Sequence, residues 1–196
     1  GNGIAIADFN NDGFIDFYVT NHSGPNSLYK NNGDGTFSDV ANELGIDLKN
    51  ITSIGATFSD YDNDGDSDLL VLNNGQNTLF NNIDNNNFEN VTNYANIRGN
   101  QRSISGSWGD YNNDGYLDIY VTNHIKNTFD EIFNKNIIDG NNKDILYKNN
   151  GDGTFSNVTN ILDINYLKNS TGFIASFFDY DNDNDSDIYL VNDIFM

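Results

Sequence analysis

The chain has no cysteine, a single proline, methionine and tryptophan, and only nine lysines and arginines among its 196 residues. Without cysteine there are no disulfides, no thiolate metal sites and no cysteine nucleophile. So few basic residues against 29 Asp and Glu, a formal net charge of −20, leave no cationic surface for nucleic acid or an anionic membrane. Cations are the natural partners. No apolar run approaches the roughly 20 residues of a membrane span. The opening residues GNGIAIADFN resemble neither a signal peptide nor a methionine start, so an internal stretch of a longer protein is expected. What is plentiful is aromatic and turn-forming. Fourteen Phe, eleven Tyr and recurrent Gly and Asn favour strands and tight turns, and with them an all-β fold.

The sequence repeats itself. The segments DFNNDGFIDFYVTN, DYDNDGDSDLLVLNN, DYNNDGYLDIYVTNH and DYDNDNDSDIYLVND begin at Asp8, Asp60, Asp110 and Asp179, so the spacing is 52, 50 and then 69 residues. A second landmark follows each of the first three, in SLYKNNGDGTFSDV, TLFNNIDNNNFENV and ILYKNNGDGTFSNV, with matched Phe37, Phe88 and Phe155. Each unit reads as four strands, the first two joined by the acidic segment and the last two by a tight hairpin at NGDG. Four antiparallel strands per repeat of about 50 residues describe a β-propeller blade. The expected units are approximately 1–48, 49–98, 99–165 and 166–196, or about three and a half blades of a seven- or eight-bladed propeller. The third unit carries an insertion, since His124 to Leu146 spans 22 residues where His22 to Leu28 spans 6. Within it, Phe129, Ile132, Phe133 and Ile137 fall at helical spacing behind a Thr128 and Glu131 capping box, which predicts a short amphipathic helix near 128–138.

In DFNNDGFID, oxygen-bearing side chains occupy loop positions one, three, five and nine: Asp8, Asn10, Asp12 and Asp16. Alternate side chains converge when such a loop curls around a glycine at position six, and the position-seven carbonyl of Phe14 adds another oxygen. Hard oxygen donors with neither His nor Cys select calcium, and several carboxylates on a flexible loop suit its high coordination number better than magnesium's octahedron. The second loop offers Asp60, Asp62, Asp64, Asp66 and Asp68, and the third offers Asp110, Asn112, Asp114, Tyr116 and Asp118. The fourth offers Asp179, Asp181, Asp183, Asp185 and Asp187, with Asn184 in place of the glycine, the non-glycine residue best able to enter the left-handed region. About four calcium ions, one per loop, are therefore expected. The loops hold 16 of the 29 acidic residues, so the acidity is mostly site chemistry. An EF-hand is excluded, because position twelve is Val19, Val71, Val121 or Leu190 in place of a bidentate Glu.

With D-x-[DN]-x-D-G-x-x-D leading into a β-branched strand at this period, the chain resembles the FG-GAP or VCBS repeats of integrin α-subunit propellers and bacterial surface proteins. GATFSDYDNDGDSDLLVLNN at 55–74 and SLYKNNGDGTFSDVANELGI at 27–46 are similar to the cartilage acidic protein-like subgroup. The resemblance implies a seven- or eight-bladed propeller, calcium at each loop and a role in adhesion or recognition outside the cell or at its surface. Strand direction places the acidic loops and the NGDG hairpins on one face. His22, Asn74, His124 and Asp193, each 14 residues after its first loop aspartate, fall on the other. Matched positions in different blades do not build one catalytic centre. The expectation is a non-catalytic scaffold with a protein or glycan ligand on the face opposite the loops. The alternative is a non-catalytic propeller section of an extracellular carbohydrate-active enzyme.

Overall fold

The computed structural model describes residues 3–124, 143–162 and 171–193. The helix expected near 128–138 lies outside them. The first sheet contains β1 (Ile4–Ala7), β2 (Asp16–Val19), β3 (Ser27–Asn31) and β4 (Phe37–Asp39), and the second contains β5 (Ser53–Ser59), β6 (Asp68–Asn73), β7 (Thr78–Ile83) and β8 (Asn87–Asn90). The third contains β9 (Arg102–Gly109), β10 (Asp118–His124), β11 (Ile145–Asn149) and β12 (Phe155–Asn157); β13 (Thr171–Phe178) and β14 (Asp187–Asp193) pair as a fourth. Each four-stranded sheet is an antiparallel meander with its strands in sequence order. The first strands, β1, β5, β9 and β13, pack against one another in succession, and this sequential stacking of sheets is propeller architecture.

The hydrophobic pattern follows from the stacking. Successive side chains on a strand point to opposite faces, so a strand between two neighbouring sheets is apolar throughout. In β6, Leu69 and Val71 enter the cluster shared with the first sheet, beside Phe9, Tyr18 and Leu28, while Leu70 and Leu72 enter the one shared with the third, beside Ile119, Val121 and Tyr147. β10 repeats the division, sending Tyr120 to the fourth sheet. At the outer face of the first sheet the alternation is visible directly: Ala5 is buried, whereas Ile4 and Ile6 are exposed.

Two devices bring the first strands close together. Gly3 and Gly55 replace side chains for which there is no room, since a Cβ on Gly3 would lie 2.7 Å from the Gly55 Cα and one on Gly55 would lie 2.8 Å from the Ile104 carbonyl oxygen. A register shift also recurs six residues before the first loop aspartate, skipping Ile54, Ile104 and Phe173 in the second, third and fourth sheets. The freed carbonyls face the preceding blade: Thr20 Oγ1 donates to Ile54 O at 3.1 Å and Thr122 Oγ1 to Phe173 O at 3.5 Å. A bulge leaves one carbonyl unpaired within its own sheet, and the neighbouring blade uses it.

Truncating Leu70, fully buried between the second and third sheets, to alanine is expected to destabilise the chain by about 3 kcal/mol. Ile6→Ala, at a side chain 66% exposed, should change stability by less than about 0.5 kcal/mol. Urea unfolding of the two variants measures both, and equal losses would contradict the assignment of the core to the blade interfaces.

Candidate metal centres

All four loops are built alike. The position-one carboxylate accepts two backbone N–H bonds from the far side of its loop: Asp8 from Asp12 at 3.0 Å and Gly13 at 2.8 Å, Asp60 from Asp64 at 3.1 Å and Gly65 at 3.0 Å. Asp110 and Asp179 repeat this with the N–H groups of Asp114 and Gly115, and of Asp183 and Asn184. Position four is left-handed in every loop, at Asn11, Asn63, Asn113 and Asn182, as is position six, where Gly13 has φ 88° and Asn184 φ 73°. Asn184 thus adopts the turn that glycine makes elsewhere, as its side chain permits.

The position-nine aspartates Asp16, Asp68 and Asp118 have no exposed surface. Each begins the second strand of its blade and accepts one N–H from position two and one from the third strand. Asp68 takes Tyr61 N at 3.0 Å and Asn82 N at 2.8 Å; Asp118 takes Tyr111 N at 3.1 Å and Asn149 N at 2.8 Å; Asp16 takes Phe9 N at 3.2 Å and Asn31 N at 2.7 Å. Position seven ties the loop to the hairpin of its own blade. The rings of Phe14 and Tyr116 cover Gly33 and Gly151, where a Cβ would lie 2.8 Å from either ring, and Asp66 instead accepts the Asn85 N–H at 2.9 Å. The acidic loops and the hairpins therefore share a face.

Side-chain oxygens of positions one, three and nine converge. Among the described residues, Asp60, Asp62 and Asp68 form one group and Asp179, Asp181 and Asp187 another, with one oxygen from each residue lying within 4.8 Å of the others. Calcium binds oxygens at about 2.4 Å, so two ligands of one ion stand at most about 4.8 Å apart, and both groups fit that sphere. In the first and third loops Asn10 and Asn112 hold position three. Position five behaves differently. Its Oδ1 accepts the position-seven N–H in every loop, at 2.9 to 3.1 Å. Its Oδ2 meets a lysine in two of them, Lys30 at 3.6 Å from Asp12 and Lys148 at 3.2 Å from Asp114. In the second blade Asn81 takes the lysine's place and donates to Asp62 Oδ2 at 2.8 Å. Asp62 Oδ1 is buried without a hydrogen-bond partner, an acceptor that a cation could use.

The charges are under strain. Burial pushes Asp68 up to about 8 and Asp118 up to about 6, against the backbone bonds that lower them, and it also raises Asp16 and Asp62. In the fourth loop the Asp183 charge raises both Asp181 and Asp185. Asp12 goes the other way, held down first by the Phe14 N–H and also by Lys30.

Beside the second loop a cleft of about 530 Å³ opens between the second and third sheets, lined by Tyr61, Asp62, Asn81, Glu89, Tyr94 and the Gly151–Gly153 hairpin, among others. A smaller recess of about 160 Å³, lined by Ile51, Gln76, Asn77, Thr78 and their neighbours, involves the connections of the opposite face. There the β2–β3 and equivalent connections are closed alike: Asn26 accepts from Asn21 N at 2.7 Å, Asn77 from Asn73 N at 3.0 Å and Asp144 from Asn123 N at 2.7 Å. His22 is exposed and lies 3.2 Å from Ser23 Oγ. No helix among the described residues is long and apolar enough to cross a membrane.

Antiparallel blades that each carry one acidic loop between their first two strands define a repeat-built β-propeller. The chain belongs to the FG-GAP-like repeat family: the family's profile matches residues 8–71 and 60–121, together more than half of the chain and spanning the first three loops. It is similar to cartilage acidic protein 1 of Xenopus tropicalis, 38% identical over 81 residues, and to the human protein of that name, 33% identical over 81 residues. Each match spans 41% of this chain and 12% of the relative. Among solved structures, a lectin of Agrocybe aegerita, described as recognising non-reducing terminal N-acetylglucosamine, superposes with a TM-score of 0.54 at 20% identity. That superposition covers 95% of this chain and 46% of the lectin, and it establishes the shared fold.

A buried aspartate whose native pKa exceeds its unfolded value takes up a proton on folding, so its contribution to stability falls as pH rises from about 4 through the native value. For Asp118 and Asp68 the native values are about 6 and about 8. In chelator, the chain is expected to melt about 5 °C higher at pH 5.5 than at pH 8.5. Thermal melts followed by circular dichroism decide this, and a rise in melting temperature with pH would contradict it.

Proposed function

We propose that the chain is a calcium-stabilised, non-catalytic recognition scaffold that works outside the cell or at its surface. Each loop holds one calcium ion through the side chains at positions one, three, five and nine and the carbonyl at position seven. The observation that carries this reading is the convergence of Asp60, Asp62 and Asp68 within one calcium-sized sphere, with an unpartnered, buried Asp62 oxygen. The ion supplies positive charge to carboxylates that burial and mutual repulsion otherwise push towards protonation. In the first and third loops it competes with Lys30 or Lys148 for the position-five carboxylate. The ions are structural, because the loops join adjacent strands within each blade. We place protein or glycan recognition on the face opposite the loops, a ligand class supported by the described specificity of the similarly folded lectin.

Isothermal titration with calcium, or terbium luminescence, should report close to four sites, and a count of zero or one would sink the assignment. The second loop has five aspartates and no lysine, the third three aspartates and Lys148, so the second should bind more tightly. Lys148→Gln is expected to tighten the third by about threefold, the size of an exposed ion pair. At 1 mM calcium and a Kd of about 0.1 mM, each site adds roughly 1.4 kcal/mol by linkage. Chelation should therefore lower the melting temperature markedly at neutral pH.

A further inference from the structure

Two sets of asparagines tie each acidic loop to the next. The first set is buried. Asn82, whose backbone N–H is bonded to Asp68 of its own blade, sends its side-chain amide to the Phe9 carbonyl of the first loop at 2.7 Å. The N–H of that same Phe9 is bonded to Asp16. Asn149 repeats the arrangement one blade on, with its N–H on Asp118 and its amide on the Tyr61 carbonyl at 2.8 Å, while Tyr61 N–H is bonded to Asp68. An unbroken line of hydrogen bonds thus joins Asp16 to Asp68 and Asp68 to Asp118 through one asparagine at each interface. The second set is exposed. The position-four amides of Asn11, Asn63 and Asn113 donate to the position-six carbonyls of Gly65, Gly115 and Asn184 in the following loops, at 3.5, 3.0 and 3.1 Å.

We propose that these asparagines couple the loops, so that calcium bound in one loop raises the affinity of its neighbour, with Asn82 and Asn149 as the principal positioning residues. The inference rests on the reading of the loops as calcium sites. An ion on Asp118 fixes that carboxylate and with it the N–H and side chain of Asn149. The Asn149 amide then holds the Tyr61 carbonyl, and the Tyr61 backbone, pinned at that end, presents the N–H that orients Asp68. The second ion meets a loop that is already ordered and loses less conformational freedom on binding. The effect is reciprocal, since coupling free energy is shared by the two sites. Repulsion between the ions opposes it and is screened by solvent and salt at these exposed loops.

The amide N–H groups of Gly13, Gly65 and Gly115 are each bonded to the first aspartate of their own loop. Calcium titration of the 196-residue chain, followed at these three signals by nitrogen-15 NMR, therefore reads the loops separately. Disabling the third loop with Asp110→Asn and Asp114→Asn should raise the half-saturating calcium at Gly65 by about fivefold, the worth of one net buried hydrogen bond. In an Asn149→Ala background, where only the exposed Asn63 link remains, the same two substitutions should move the Gly65 midpoint by no more than about twofold. If Asn149→Ala loses its β-sheet circular dichroism, Asn63→Gly serves instead. It keeps the left-handed backbone, removes only the exposed link and should halve the dependence. A Gly65 midpoint indifferent to the third loop, or equally dependent on it with and without the linking amide, overturns the coupling alone. The absence of any calcium-induced shift at all three glycines overturns the calcium reading and the coupling together.

Discussion

The position-nine aspartate is the constraint on which the other features depend. When ionised, Asp16, Asp68 and Asp118 carry a charge into a site without exposed surface and spend both carboxylate oxygens on backbone N–H groups, one in the loop and one in the third strand. The bond to the third strand fixes how the β2–β3 hairpin lies against the loop, and the bond to position two fixes the loop's entry. Neither bond is replaceable by a neutral apolar side chain, because a buried N–H without an acceptor costs about 1 to 3 kcal/mol. The charge that makes these bonds strong also makes the loop a poor place for further anions. The positions around it nevertheless supply two to four more carboxylates, an arrangement that burial and repulsion penalise unless a cation is present.

Much of this was legible in the sequence because it recurs. The alternation of acidic positions located the loops, the glycine or asparagine at position six announced the turn, and the β-branched run after each loop marked the second strand. Val71 and Leu72 occupy neighbouring positions, and only a strand covered on both faces buries both. The NGDG hairpins declared themselves through residues that accept positive φ, and Gly33, Gly35, Gly151 and Gly153 take it. The loops and hairpins share a face because antiparallel strands leave no other choice.

Other features lacked a local signature. The bulges at Ile54, Ile104 and Phe173 fall on ordinary strand residues, and for Ile54 and Phe173 it is the carbonyl's partner in the preceding blade that explains them. Lys30 and Lys148 lie in the third strands of their blades, and only the fold brings them to the position-five carboxylates. Asn82 and Asn149 lie within the recurring second landmark, yet asparagine is too common in this chain for its recurrence there to mark a site. Their partners lie 73 and 88 residues away along the chain, a distance over which periodicity carries no information. A signal was present in the matched asparagines of LYKNN and LFNNI, and it becomes readable once the strand is known to border a neighbouring loop.

At the blade boundary Asn82 and Asn149 address main-chain carbonyls, of Phe9 in one case and Tyr61 in the other, and the exposed asparagines do the same. The carbonyl is common to every amino acid, so the docking rule is indifferent to which repeat stands next door. Tandem duplication or deletion of a whole repeat in the gene would bring together surfaces that already obey it, without a matching change on the other side. The rule holds whether position two is phenylalanine, as in the first loop, or tyrosine, as in the second. Copy number is thus a property that such a module can change before any single interface is refined.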